Sequence, residues 1–117
     1  MRSSSAGVMA PSEEASERLL ALRDRIDELD LGILRLVEQR GHVVEEILAL
    51  KQVSGMPVLD EAREHQLLRR LRARHRGPHD WHDVERVFRL LLEISRGLAN
   101  KVRRGRGDRT PAAADSN

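Results

Sequence analysis

The sequence predicts an all-α fold of three helices, long, short and medium, and it predicts that one copy of the chain is not enough. Three observations carry this. An apolar stripe of helical period runs from Glu14 to about Val53 with no proline in it. Two polar breaks containing Gly and Pro, at 54–57 and 74–80, divide the rest into a short and a longer amphipathic stretch. Aromatic residues are nearly absent, with Trp81, Phe88 and no Tyr in 117 residues, which argues against a β-sandwich or barrel.

The first helix is defined by Leu19, Leu22, Ile26, Leu29, Ile33, Leu36, Val37, Val43, Val44, Ile47 and Leu50, spaced by three, four or seven almost throughout. A helix of this span is about 60 Å long at 1.5 Å per residue. The short remainder of the chain cannot cover such a stripe, so a second protomer is expected to do so. Gly32 and Gly41 lie inside it, each costing about 1 kcal/mol against Ala. Close approach of a helix or ligand, or simple tolerance, accounts for them. The run Ser54-Gly55-Met56-Pro57 ends the helix. Asp60 is the expected N-cap of a second helix over about 60–75, with Leu67, Leu68 and Leu71 facing inward. Asp80 is the expected cap of a third, from Trp81 to about 103, with Val84, Val87, Phe88, Leu91, Leu92, Ile94 and Leu98 as its apolar positions. The folded domain is expected over 13–104. A disordered Ser/Ala/Gly/Pro-rich segment (1–12) and a disordered basic and polar tail (105–117) flank it.

Composition removes several functions. Without cysteine there is no disulfide framework, thiolate metal site or cysteine nucleophile. No apolar run approaches the roughly 20 residues of a membrane span, and the first residues lack a signal-like apolar region, so a cytoplasmic protein with no membrane partner is expected. The net charge of +2 is unevenly placed. Residues 101–109 carry a net +4, and residues 1–100 a net −1. The basicity is that of a solvated tail, and the core argues against a nucleic-acid partner.

The informative residues are the polar ones that interrupt apolar faces. Arg40 sits in the first helix's stripe, and Lys51 follows eleven residues later. At 100° per residue the two differ by about 20° in direction, and their Cα atoms are about 16.5 Å apart, so two long cationic side chains can close on an anion between them. Arg23 lies about 25 Å from Arg40 and about 100° round the helix, too far for one small ligand on one helix. In an antiparallel pair of long helices, Arg23 of one chain can come opposite Arg40 of the other. Asp60, Arg63 and Glu64 share a face at the start of the second helix, and Ser95 precedes Ala99 by one turn of the third. The plain alternative is a set of snorkelling arginines and an ordinary cap. His79 and His82 are three apart, but no third ligand is near, so no metal site is expected.

The segments LLALRDRIDELDLGILRLVEQR (19–40), LALK (48–51), PVLDEARE (57–64) and VFRLLLEIS (87–95) resemble the small all-helical chorismate mutases. The resemblance extends over 19–99 nearly without gaps. It implies an intertwined homodimeric helical bundle and an isomerase that rearranges chorismate to prephenate in aromatic amino-acid (Phe/Tyr) biosynthesis, with no cofactor. It implies that Arg40, and Arg23 donated in trans by the partner, hold the two carboxylates of the substrate. Lys51 donates to the ether oxygen of the breaking C–O bond, and Asp60 and Glu64 meet the ring hydroxyl region. Arg63 reinforces the cationic field and Ser95 contacts a carboxylate. Arg40, Lys51 and Glu64 would thus be the catalytic set. One position departs: the family's Gln, a second donor to the ether oxygen, is replaced by Ala99. Neighbouring readings therefore remain: an aminodeoxychorismate mutase or an isochorismate pyruvate lyase on the same fold, a non-catalytic regulatory or docking dimer, or an enzyme completed by an aromatic-pathway synthase.

Overall fold

A computed structural model of the chain describes residues 12–57 and 60–107. They form three helices in the expected order: α1 (Glu13–Ser54), α2 (Glu61–Arg74) and α3 (Trp81–Gly107). Residues 1–11 and 108–117, on which most of the two expected disordered flanks fall, lie outside the described residues.

Local chemistry sets the helix ends. Ser12 caps α1: its Oγ accepts from the Ala15 N–H at 3.0 Å and its carbonyl from the Ser16 N–H at 3.0 Å. At the other end, Gly55 takes φ +75° and the Met56 N–H donates to the Lys51 carbonyl at 3.1 Å, the six-residue closure of a Schellman turn. Asp60 caps α2 through Oδ1, which accepts from the Arg63 N–H at 3.0 Å. The Asp80 carbonyl accepts the first bonds of α3 from Asp83 and Val84. Helix α3 continues past the expected 103 to Gly107. No proline interrupts that stretch, and isolated glycines weaken a helix without ending it.

The chain divides into two compact units, Met1–Leu36 and Val37–Asn117, with α1 contributing to both. In the first unit the expected stripe (Leu19, Leu22, Ile26, Leu29, Ile33 and Leu36) is exposed throughout. Leu20, Leu31 and Leu34 are exposed as well. The second unit holds the end of α1 with α2 and α3. Its core is small: Leu48, Leu68, Leu92 and Ala99 are the buried hydrophobic residues described. Phe88, Leu91 and Leu98 are half-buried beside them, as are Leu67 and Leu71 of α2. Val87 and Ile94, apolar positions of α3, remain exposed. His75 and Trp81 meet edge to face at 5.8 Å between ring centroids, packing the α2–α3 connection. On α3, Arg89 donates twice to Glu85 Oε2, at 2.7 and 3.0 Å, and holds that carboxyl below its ordinary range. A Cβ added at Gly32 or Gly41 would meet nothing of this chain within 4 Å, so neither glycine is required by contacts within the chain.

Leu68 is the buried side chain of α2, so Leu68→Ala should lower unfolding stability by about 2 kcal/mol, the lower end for such truncations because the neighbouring cleft is open. Urea titration at one fixed protein concentration reads this, and an unchanged midpoint would place Leu68 outside the core.

Candidate active site

All three helices of the second unit contribute to one open cleft. Its volume of about 190 Å³ is far more than one bound water needs and fits a small molecule. Val44, Ile47, Leu48, Leu67, Leu92 and Ala99 form its apolar wall. Arg40 and Lys51 of α1, Arg63 of α2 and Arg96 of α3 bring positive charge, and Asp60 and Glu64 bring negative charge. Ser95 completes the lining. Four cations against two carboxylates leave a net +2, which suits a ligand with two negative groups.

Most of the polar groups are placed by identifiable bonds. The Arg40 Nη1 donates to Ser95 Oγ at 2.7 Å and reaches the Leu91 carbonyl at 3.5 Å. Ser95 Oγ in turn donates to that same Leu91 carbonyl at 3.1 Å. This ties α1 to α3 and holds the guanidinium at the cleft, where its planar fork of N–H groups suits a carboxylate. Lys51 occupies the last turn of α1, just before the Schellman closure at Gly55. Asp60 and Arg63 are held in register by the cap of α2. Glu64 Oε1 accepts a hydrogen bond from Arg96 Nη2, joining α2 to α3 across the cleft wall.

Of the residues that the sequence singles out, Arg40, Lys51, Asp60, Arg63, Glu64 and Ser95 therefore line one cleft, together with Ala99. Arg23 belongs to the first unit, is exposed, and is not among the lining residues. The sequence reading missed Arg96. It lies 32 residues from Glu64 on a different helix, so no spacing rule links the two. Its only sequence signal is its position next to Ser95. His82 is paired with Glu85 at 3.6 Å, on its own helix. Among the described residues, no three His, Cys, Asp or Glu side chains gather where they could hold a metal ion. Nor is any described helix long and apolar enough to cross a membrane.

The sequence pattern of the chorismate mutase type II family matches residues 22–100. The chain belongs to that family. It is 40% identical over 78 residues to the bifunctional chorismate mutase/prephenate dehydratase of Escherichia coli K12, a match covering 66% of this chain and 20% of that protein. Thus the chain spans about a fifth of the length of this bifunctional relative. It is 29% identical over 87 residues to the chorismate mutase of Methanocaldococcus jannaschii, covering 70% of this chain and 84% of that one. Among solved structures, form II of the chorismate mutase from Thermus thermophilus superposes with a TM-score of 0.68 at 34% identity, covering 71% of this chain and 94% of that chain. The all-helical, three-element architecture is thus that of chorismate mutases.

Proposed function

We propose that this chain is a chorismate mutase, an isomerase that converts chorismate to prephenate on the route to Phe and Tyr. The observation that supports this reading is the gathering of Arg40, Lys51, Asp60, Arg63, Glu64 and Ser95 from three helices around one cleft of net positive charge. The reaction is a pericyclic rearrangement: a C–O bond breaks as a C–C bond forms within one molecule. It needs no nucleophile and no transferred proton. It needs the substrate folded into a compact conformer and negative charge stabilised on the ether oxygen as the C–O bond opens. Arg40 holds one carboxylate and is itself held by Ser95. Lys51 donates to the ether oxygen. Glu64 and Asp60 meet the ring hydroxyl, and Arg63 strengthens the cationic field. No residue in this scheme calls for a cofactor or metal.

The functional domain is 13–104, and it works as a homodimer in the cytoplasm. The exposed stripe of α1 is covered by the partner chain, whose Arg23 enters the cleft to hold the second carboxylate. This accounts for the absence of Arg23 from the cleft lining of its own chain. An aromatic-pathway synthase is a candidate further partner, because such a partner can complete a weak site. Ala99, which lines the cleft but cannot donate a hydrogen bond, is the feature that favours either such a partner or a chorismate relative as substrate.

Turnover of purified chorismate, aminodeoxychorismate and isochorismate tests the reading, with prephenate as the expected product of the first and little product from the others. Ala99→Gln places a donor at the cleft and should raise kcat at least about tenfold, up to the roughly 10²–10³ that such a donor supplies, while changing KM less. A folded Ala99→Gln protein with unchanged kcat would show that this donor is not limiting. The shared site has its own test. Arg23→Ala and Arg40→Ala homodimers should each lose most activity, whereas an exchanged mixture should recover part of it, since a mixed dimer keeps one intact site and collects both defects in the other. No recovery despite demonstrated subunit exchange would remove Arg23 from the partner's site.

A further inference from the structure

Glu64 poses an electrostatic problem for the reading above, on which this inference rests. A site for a dicarboxylate gains from every cation and loses from every uncompensated carboxylate. Asp60 spends one carboxylate oxygen on the α2 cap. Glu64 faces the cleft with a side chain only 20% exposed, where water screens its charge poorly. Left alone, it would also be free to change rotamer, because nothing within α2 fixes it. Arg96 answers both points. Its guanidinium donates to Glu64 Oε1 from the opposite helix, and Glu64 keeps Oε2 and the remaining lone pairs for a ligand. With Arg96 the lining carries net +2, and without it only +1.

We propose that Arg96 is a positioning residue of this active site: it fixes the Glu64 carboxylate at the cleft wall and cancels its charge toward the dicarboxylate substrate. Arg96 acts through Glu64 and does not itself touch the reacting atoms. Its effect follows from the charges of the reaction. Both carboxylates of the substrate are ionised in the ground state and in the transition state alike. An uncompensated Glu64 therefore repels both states equally, and the penalty appears in KM rather than in kcat. Because the Arg96 side chain is 44% exposed, the effect is smaller than for a fully buried pair.

The test is a double-mutant cycle on the full chain with two readouts: chorismate turnover, and calorimetric binding of prephenate as a dicarboxylate probe. Arg96→Met should raise KM and weaken prephenate binding about tenfold, with kcat changed less than about threefold. Arg96→Lys, which keeps the charge, should recover most of the binding. In a Glu64→Gln background, where there is no charge to cancel, Arg96→Met should cost less than about twofold. Circular dichroism melts accompany each variant, and because Arg96→Lys keeps the stem and charge it supplies a folded comparison if Arg96→Met is unstable. The proposal is overturned by equal prephenate binding, strong or absent, in wild type and Arg96→Met. It is also overturned by a penalty that persists undiminished in the Glu64→Gln background, or by a folded Arg96→Lys that binds as poorly as Arg96→Met. A wild-type protein that binds prephenate but does not turn over chorismate defeats the mutase reading alone, and the binding cycle still decides the role of Arg96.

Discussion

The scarcity of buried apolar surface is the constraint behind the rest of this structure. Among the described residues, the buried hydrophobic side chains are Leu48, Leu68, Leu92 and Ala99, and all four lie in the second unit. Ordering a residue's backbone costs roughly 1–2 kcal/mol, so three buried leucines at about 1.5–3 kcal/mol each, with the much smaller Ala99, cannot by themselves hold three helices in place. The apolar residues that could supply the difference are present in the sequence, but in the first unit they face solvent on this chain. The apolar surface this chain leaves uncovered thus follows the distribution of leucine and isoleucine along α1.

The cleft follows from the same economy of material. Its apolar wall is made of the residues that form the small core or border it, Leu48, Leu92 and Ala99 among them. Its polar residues are fixed mainly by helix ends and by bonds between helices. The Asp60 cap sets the first turn of α2, the Arg40–Ser95–Leu91 cluster joins α1 to α3, and the Glu64–Arg96 pair joins α2 to α3. Such fixed side chains supply conformational confinement and a cationic field to whatever small anion the cleft holds.

Much of this was legible in the sequence, for reasons that differ by residue. Helix positions came from the 3.6-residue period and from the Gly55–Pro57 and Gly77–Pro78 breaks, and these are local signals. The grouping of Arg40 with Lys51 came from helical geometry, and that of Asp60, Arg63 and Glu64 from their shared turn. What failed to show was whatever depends on two helices meeting. The pairing of Arg96 with Glu64 is set by the approach of α3 to α2, which no periodicity encodes. Equally, Val87 and Ile94 read as apolar positions no different from Leu92, yet only Leu92 is buried on this chain. The extension of α3 to Gly107 was missed because its glycines read as breaks although neither proline nor a cap enforces a stop there.

The connection between α1 and α2 is closed independently at both ends. On one side, the positive φ of Gly55 lets the Met56 N–H satisfy the Lys51 carbonyl. On the other, Asp60 satisfies the Arg63 N–H. Any redesign of this connection therefore has to keep Gly55 for its left-handed backbone and Asp60 for its carboxylate.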